Sequence, residues 1–421
     1  MSRAARPAVS RQARKAPEPG GRRALTHVGG PTRVEGENGE DAAIARWAFR
    51  VRSDDPAARA HVHGFHSYPA RLHAATAARL VEALSRPGDH VLDPLCGSGT
   101  ALVEARRAGR LAQGSDLNPL AVELSWLKTL APEAPVWRRV AEAGAAVAEI
   151  ADERRAARAG PTRRYGKEDL ELYDIHVLLE LDSLRSGISE HGDGFVGRCL
   201  GLVLSSLLTK LSRRAGDGSE GRLSKRIAAG FATTMFRRKL DELGRRLESF
   251  ARLVPPSTPP AEITVCDARR LQHIRDHSVA LALSSPPYPG VYDYAEQHAV
   301  RLRWLGLDAR RLAAGEIGAR RQLGRLMAPE ARTRFERDLG DCLKELARVV
   351  VPRGAVALVL GDGVAGGRPL SAPELMHRLA LACGLRITAR ASQSRQHVHM
   401  GTRRAFGATP REEHLFLLRP G

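Results

Sequence analysis

The chain is poor in cysteine, in aromatic side chains and in acid. Its 421 residues include only five cysteines, Cys96, Cys199, Cys266, Cys342 and Cys383. They are odd in number, scattered and never in a C-x-x-C spacing, which excludes a disulfide framework, argues against a structural zinc centre and favours a reducing compartment. No apolar run approaches the roughly eighteen residues of a membrane-spanning helix, so no membrane contact is expected. The first 34 residues carry eight basic side chains against Glu18. They lack an apolar h-region, so they read as a solvated tail and not a secretory signal. No fixed-period repeat occurs, which excludes a solenoid. The expected location is cytoplasmic, and nucleoid-associated in a bacterium.

What the chain has in excess is positive charge. Sixty-six Lys and Arg stand against 47 Asp and Glu, a formal charge of +19. Such an excess favours a polyanionic partner through counterion release, and nucleic acid is the first candidate.

The pattern divides the chain into four parts. Residues 1–45 are rich in Pro, Gly, Arg and Ala without periodicity and read as a disordered basic tail. In 46–130 a strand at Val91–Leu92, a helix at Thr100–Ala108 and a strand at Leu111–Ser115 alternate. Residues 131–260 are helical by pattern, with Phe236, Leu240, Leu243, Leu247, Phe250 and Val254 spaced by three and four. This insertion closes on a stiff linker, Pro255 to Pro260. Alternation resumes over 261–421, with strands at Ile263–Cys266, Val279–Ser284, Ala355–Leu360, Leu385–Ala391 and His414–Leu418. Helices are expected at Phe335–Val349 and Ala372–Leu381. Strands alternating with helices predict an α/β fold with a parallel sheet.

The first strand runs into Asp93-Pro94-Leu95-Cys96-Gly97-Ser98-Gly99-Thr100. Gly97 and Gly99 permit a tight turn and close approach of a ligand where a helix begins. Asp116, ending the next strand, suits both ribose hydroxyls of a nucleoside cofactor. A nicotinamide dinucleotide fits less well, because the third glycine is missing and Asp93 would repel a pyrophosphate. The same carboxylate suits the ammonium of a methionine moiety. Asp267 is a third carboxylate at a strand end, placed for an adenine amino group. Cys96 and Thr100 complete the loop, Cys96 as a small side chain and not as a nucleophile.

Strand Val279–Ser284 ends in Ser285-Pro286-Pro287-Tyr288. Two prolines stop the ladder and leave carbonyls free as acceptors. Ser285 Oγ and the Pro286 carbonyl are suited to accept the two hydrogens of an exocyclic amine, while Tyr288 offers a face to a base swung out of its stack.

These residues resemble the DNA amino-methyltransferases, specifically the cytosine-N4 type, whose catalytic tetrapeptide is Ser-Pro-Pro-Tyr. His66-Ser67-Tyr68-Pro69-Ala70-Arg71 resembles the family's methionine-pocket motif, which implies cofactor roles for Tyr68 and Pro69. Val265-Cys266-Asp267-Ala268-Arg269 resembles its adenine-contacting segment. Leu346 to Val349, followed by Pro352-Arg353-Gly354, resembles the helix and turn before a later strand. Many cytosine-N4 enzymes place the tetrapeptide before the cofactor loop; here the loop comes first. The resemblance implies a Rossmann-like, seven-stranded, mostly parallel methyltransferase sheet with an antiparallel last strand. It also implies S-adenosyl-L-methionine as cofactor, no metal, and DNA as partner ahead of RNA. A cognate restriction endonuclease is the protein partner it suggests. Within the same reading stand DNA adenine-N6 and RNA guanine-N2 methylation, and from another class a catalytically silent nucleic-acid-binding module.

Three basic stretches are candidates for the nucleic-acid contact. Lys210–Lys239 has nine basic residues against Asp217 and Glu220, among them Arg213, Arg214, Lys225 and Arg226. Arg301–Arg337 has ten arginines against four acids. Leu375–Arg411 has seven arginines and no acid, and holds Arg395, His397, His399, Arg403 and Arg404. Two histidines are too few for a metal site, so His397 and His399 read as polar groups near the substrate.

Overall fold

The computed structural model of the protein describes residues 31–36, 39–52, 54–214, 225–395 and 400–421. Among these, ten strands occur: β1 (Arg33–Gly36), β2 (His90–Asp93), β3 (Leu111–Asp116), β4 (Glu262–Val265), β5 (Val279–Ser284), β6 (Val350–Gly361), β7 (Gly363–Ala365), β8 (Arg368–Leu370), β9 (Leu385–Arg395) and β10 (Arg411–Pro420). Eight of them form one sheet in the order β1-β9-β10-β6-β5-β2-β3-β4, and β7 pairs with β8. Strands β2, β3, β4, β5 and β6 pair in parallel, while β10 runs antiparallel between β6 and β9. The fold is therefore a mostly parallel α/β sheet. From β2 the chain proceeds to β3 and β4 on one side, then crosses to β5 on the other. That reversal places a crevice at the carboxyl ends of β2 and β5, where such sheets bind ligands.

Side-chain alternation sorts the core into two layers. Val91, Leu281, Leu283, Ala357 and Val359 face one helical layer with Leu80, Val81 and Leu102. Leu92, Ala282, Val356, Leu358 and Leu360 face the other with Phe335, Leu339 and Leu343. A period of two is what a pleated strand imposes, and burial on both faces is why these strands read as continuous apolar runs.

Between β3 and β4 lie the helices Ala134–Ala156, Lys167–Leu172, Ile175–Ser189, Phe195–Leu211 and Phe231–Ala251. In the last of these Phe236, Leu240, Leu243, Leu247 and Phe250 form the buried stripe. They join Val147, Leu184, Leu207 and Trp304 in a core that also takes in Tyr68, Val103 and Leu120. The proline linker that ends this block is fastened to the sheet layer: Arg106 Nε donates to the Pro259 carbonyl at 3.1 Å and Nη2 to that of Thr258 at 3.3 Å.

Two expectations need correction. The sheet has eight strands, not seven, because β1 pairs antiparallel along the edge of β9. Regular elements also occur well before residue 45, among them β1 and the helix Gly39–Phe49. An edge strand of four residues with mostly exposed side chains leaves no alternation to read. Its place is fixed by the ladder and by cross-strand ion pairs, Arg33 with Glu412 at 2.5 Å and Arg390 with Glu35 at 2.5 Å.

Candidate active site

A cleft opens at the carboxyl ends of β2, β3 and β5. Its lining includes Tyr68, Gly97, Asp116 and Asp267 toward one side of the switch point, and Ser285, Pro287, Tyr294 and Glu316 toward the other.

The loop after β2 turns on two glycines in the left-handed region, Gly97 at φ 50° and Gly99 at φ 79°. A side chain at Gly99 would bring its Cβ within 2.9 Å of the Ser125 backbone, so only glycine fits. The turn is tied to β3 by Asp116, whose Oδ2 accepts from Gly97 N at 3.0 Å and Oδ1 from Asn118 N at 2.8 Å. Burial pushes the Asp116 carboxyl up to about 6, offset in part by those two N–H groups. Asp93 is buried beneath the loop. Its Oδ1 accepts from the Ser284 hydroxyl at 2.7 Å and from Leu95 N at 3.2 Å, and burial raises it to about 7. No cation is among the groups that shift either carboxylate.

Asp267 differs. It is held by Arg269, whose Nε reaches Oδ1 at 2.9 Å and whose Nη2 reaches Oδ2 at 2.8 Å. Burial would raise its pKa, but the bonds and charge of Arg269 leave it below the usual carboxylate value. On the β5 side, Ser285 Oγ donates to the Val359 carbonyl at 3.1 Å. Its one hydrogen is thereby committed, so the oxygen faces further partners as an acceptor.

Several expected site residues stand elsewhere. Pro69, Asp93, Cys96, Gly99, Thr100 and Pro286 are not among the lining residues. Cys96 is buried, receives the Ser125 hydroxyl at 3.4 Å, and is pushed well above the usual thiol range by burial. Tyr288 is only 9 % exposed and also lies outside the lining. Its hydroxyl donates to Glu413 Oε1 at 2.6 Å, and its ring lies so close to Gly361 that a Cβ there would come within 2.7 Å. Arg395 is buried and paired with Glu413 at 2.6 Å. Arg213 pairs with Asp174 at 2.5 Å. Lys225 Nζ donates to the carbonyls of Lys210, Ser212 and Arg214 at 3.2, 2.7 and 2.9 Å. Charge counting along the sequence cannot see such local partners. Arg226, Arg403 and Arg404 are exposed, Arg214 is half-buried, and His397 and His399 lie outside the described residues.

Over residues 28–126 the chain matches the family model of N6/N4-type DNA methylases. That match bears out the resemblance to DNA amino-methyltransferases over a stretch holding Tyr68, Asp93, Gly97 and Asp116; the Ser285 tetrapeptide lies beyond it. Comparison with curated proteins gives no match. Among solved structures, the chain is similar to TrmN from Thermus thermophilus, with 13% identity, a TM-score of 0.33, and coverage of 83% of this chain and 49% of that one. The chain thus spans about half the length of TrmN. An rRNA methyltransferase, aviRa from Streptomyces viridochromogenes, matches at 14% identity and TM-score 0.32, over 89% and 96% of the two chains. Geranyl diphosphate C-methyltransferase from Streptomyces coelicolor matches at 10% identity and TM-score 0.33, over 92% and 100%. Similarities this low decide nothing about substrate.

Three polar lining residues escaped the sequence reading. Glu316 accepts from Tyr294 N at 2.5 Å and Ala295 N at 3.3 Å, and burial lifts it to about 7. Tyr294 begins the helix Tyr294–Leu305 and lies 6.1 Å from Tyr68, ring to ring, in a stacked arrangement. Asn118 caps the helix Pro119–Thr129 with its side-chain oxygen and donates from Nδ2 to Tyr68 Oη at 3.3 Å. Only Asn118 left a signal, as an N-cap residue followed by proline.

Proposed function

We propose that the protein transfers a methyl group from S-adenosyl-L-methionine to an exocyclic amine of a nucleic-acid base, with cytosine N4 in DNA as the preferred target. One observation carries the reading: the loop of Gly97 and Asp116 and the tetrapeptide residues Ser285 and Pro287 line a single cleft.

The cleft suits this cofactor. Asp116 has backbone N–H partners only, so its remaining lone pairs are available to ribose hydroxyls. Asp93 is a buried carboxylate without a cation, as an ammonium group nearby would require. The bound cofactor supplies an electrophilic methyl on a sulfonium. Gly97, Gly99 and Asp116 orient the nucleoside end, while Asp93 and Tyr68 bound the methionine end. Ser285, its hydrogen given to Val359, accepts one hydrogen of the amine, and the Pro286 carbonyl accepts the other. The nitrogen lone pair then turns toward the methyl, so that the N–C bond would form as the C–S bond breaks, with the surplus proton leaving the nitrogen for water afterwards. Alignment supplies most of the rate, and polar acceptors support the amine as it becomes positive. Tyr288, fixed by Glu413 and Gly361 behind the lining of the cleft, holds the far end of the catalytic loop. Exposed Arg226, Arg403 and Arg404 are suited to phosphate contact.

Incubation with methyl-labelled cofactor and DNA, followed by digestion to nucleosides, tests the proposal. Label is expected in N4-methylcytosine and to be lost in Ser285→Ala with cofactor affinity retained. Label in N6-methyladenine would change the base, and label only in RNA would change the substrate. Cofactor binding without label in any nucleic acid would overturn the activity.

A further inference from the structure

We propose that His61, His63 and Glu104 bind a divalent transition-metal ion, zinc foremost, at a site apart from the cleft. A ligand atom from each of these three side chains lies within 4.8 Å of the other two. Both histidines sit on one short 3-10 turn, His61–Gly64, and Glu104 comes from the helix Thr100–Arg107. Glu104 is 3 % exposed, with His63 Nε2 2.7 Å from its Oε1 and Arg107 Nε 2.6 Å from its Oε2. A ligating carboxylate is ordinarily oriented in this way, one oxygen inward and the other held by a neighbour.

A buried His–Glu hydrogen bond alone would account for His63 and Glu104. It does not account for His61. That ring lies 4.7 Å from the His63 ring, and its Nδ1 is buried with no hydrogen-bond partner among the described residues. The His61 backbone is held at φ 32°, rare for a residue with a side chain, while Arg246 donates to its carbonyl. Buried unpaired polar atoms are uncommon, and this one calls for a partner. Tetrahedral zinc with bonds of about 2.0–2.1 Å sets its ligand atoms roughly 3.3 Å apart. That spacing is reached from the present one by opening the 2.7 Å His63–Glu104 contact and drawing in His61, whose ligand atom lies within 4.8 Å of both. Two imidazoles and a carboxylate leave a fourth position for water.

The surroundings carry positive charge, which opposes a cation. Arg107 is engaged with Glu104, and Arg71 donates to the His63 carbonyl at 2.5 Å. Buried Lys128 also acts on His63 and adds to that opposition. The turn directly precedes the His66–Arg71 segment that brings Tyr68 to the cleft, so the ion would brace that segment.

The test uses the untagged full chain, stripped with chelator and dialysed against zinc. Elemental analysis is expected to find one zinc per chain, and cobalt in its place should give visible d–d absorption typical of four-coordination. Half-buried His61 is the variant least able to disturb folding, so His61→Ala should abolish stoichiometric binding with its circular dichroism unchanged. Glu104→Gln should weaken it at least tenfold. No bound metal in the wild type, or equal binding in wild type and His61→Ala, would overturn the site.

Discussion

Asp116 and Asp267 occupy equivalent places at the ends of neighbouring strands, yet they are electrostatic opposites. Asp116 is buried with only backbone N–H groups for company, and its pKa rises to about 6. Asp267 is clasped by Arg269 and falls below the usual value. A carboxylate that already has its cation is nearly spent as a ligand-binding group. One that is desolvated and lacks a cation gains from a ligand that donates hydrogens or carries positive charge. Asp93, lifted to about 7, belongs with Asp116. The comparison therefore ranks three carboxylates that look alike in the sequence.

The largest effect is expected at Asp116. Asp116→Ala removes the acceptor for two ribose hydroxyls and unties Gly97. S-adenosylmethionine affinity should fall roughly 10–100-fold, since a hydrogen bond to a charged group contributes about 1.5–3 kcal/mol. Wild-type affinity should also climb as pH rises through about 6, because the acceptor forms as Asp116 ionises. Calorimetry across that range checks both. A flat pH profile together with an unaffected variant would place the nucleoside elsewhere.

How much of this was legible follows from particular residues. Gly97, Gly99 and the strand-end carboxylates were, because a tight turn and a sheet's carboxyl edge leave local signatures. Glu316 was not. It sits 200 positions beyond Asp116 in an arginine-rich run, and only folding brings it to the cleft. Neither was the loss of Arg395, Arg213 and Lys225 as free cations, since their partners are Glu413, Asp174 and backbone carbonyls. The strand β1 escaped for a different reason: its stability resides in edge pairing and not in its own pattern.

A smaller effect, of opposite sign for stability, is expected at Asp93. Its folded pKa of about 7 stands above the usual 3.8. The folded state thus holds a proton that the unfolded state has lost, and the cost of this group grows as pH rises from about 4 through 7. Asp93→Asn keeps an acceptor for Ser284 and Leu95 but removes the charge. Without cofactor, the variant should be more stable than wild type at pH 8 by on the order of 1–2 kcal/mol, less than the shift itself converts to. The gap should close toward pH 4. Denaturant unfolding at both ends of the range decides it, and a gap of the same size at both would mean that Asp93 is not the strained group.

The smallest effect should come from Asp267. If Arg269 already satisfies this carboxylate, an adenine amino group gains only a shared acceptor from it. Asp267→Ala should then weaken cofactor binding a few-fold at most, on the scale of the roughly 1 kcal/mol that a partly exposed ion pair contributes. The loss has a second source, because Arg269 also reaches Asp338 at 3.0 Å and the Gly315 carbonyl at 3.0 Å. Freed from Asp267, the guanidinium can shift toward either and drag the Gly315–Glu316 edge of the cleft with it. A double-mutant cycle with Arg269→Ala separates these contributions. Coupling between the two should equal the part of the Asp267→Ala loss that passes through Arg269, leaving only the direct contact in the Arg269→Ala background. A loss at Asp267 as large as that at Asp116, with no coupling to Arg269, would erase the distinction between the carboxylates and make both direct ligands of the cofactor.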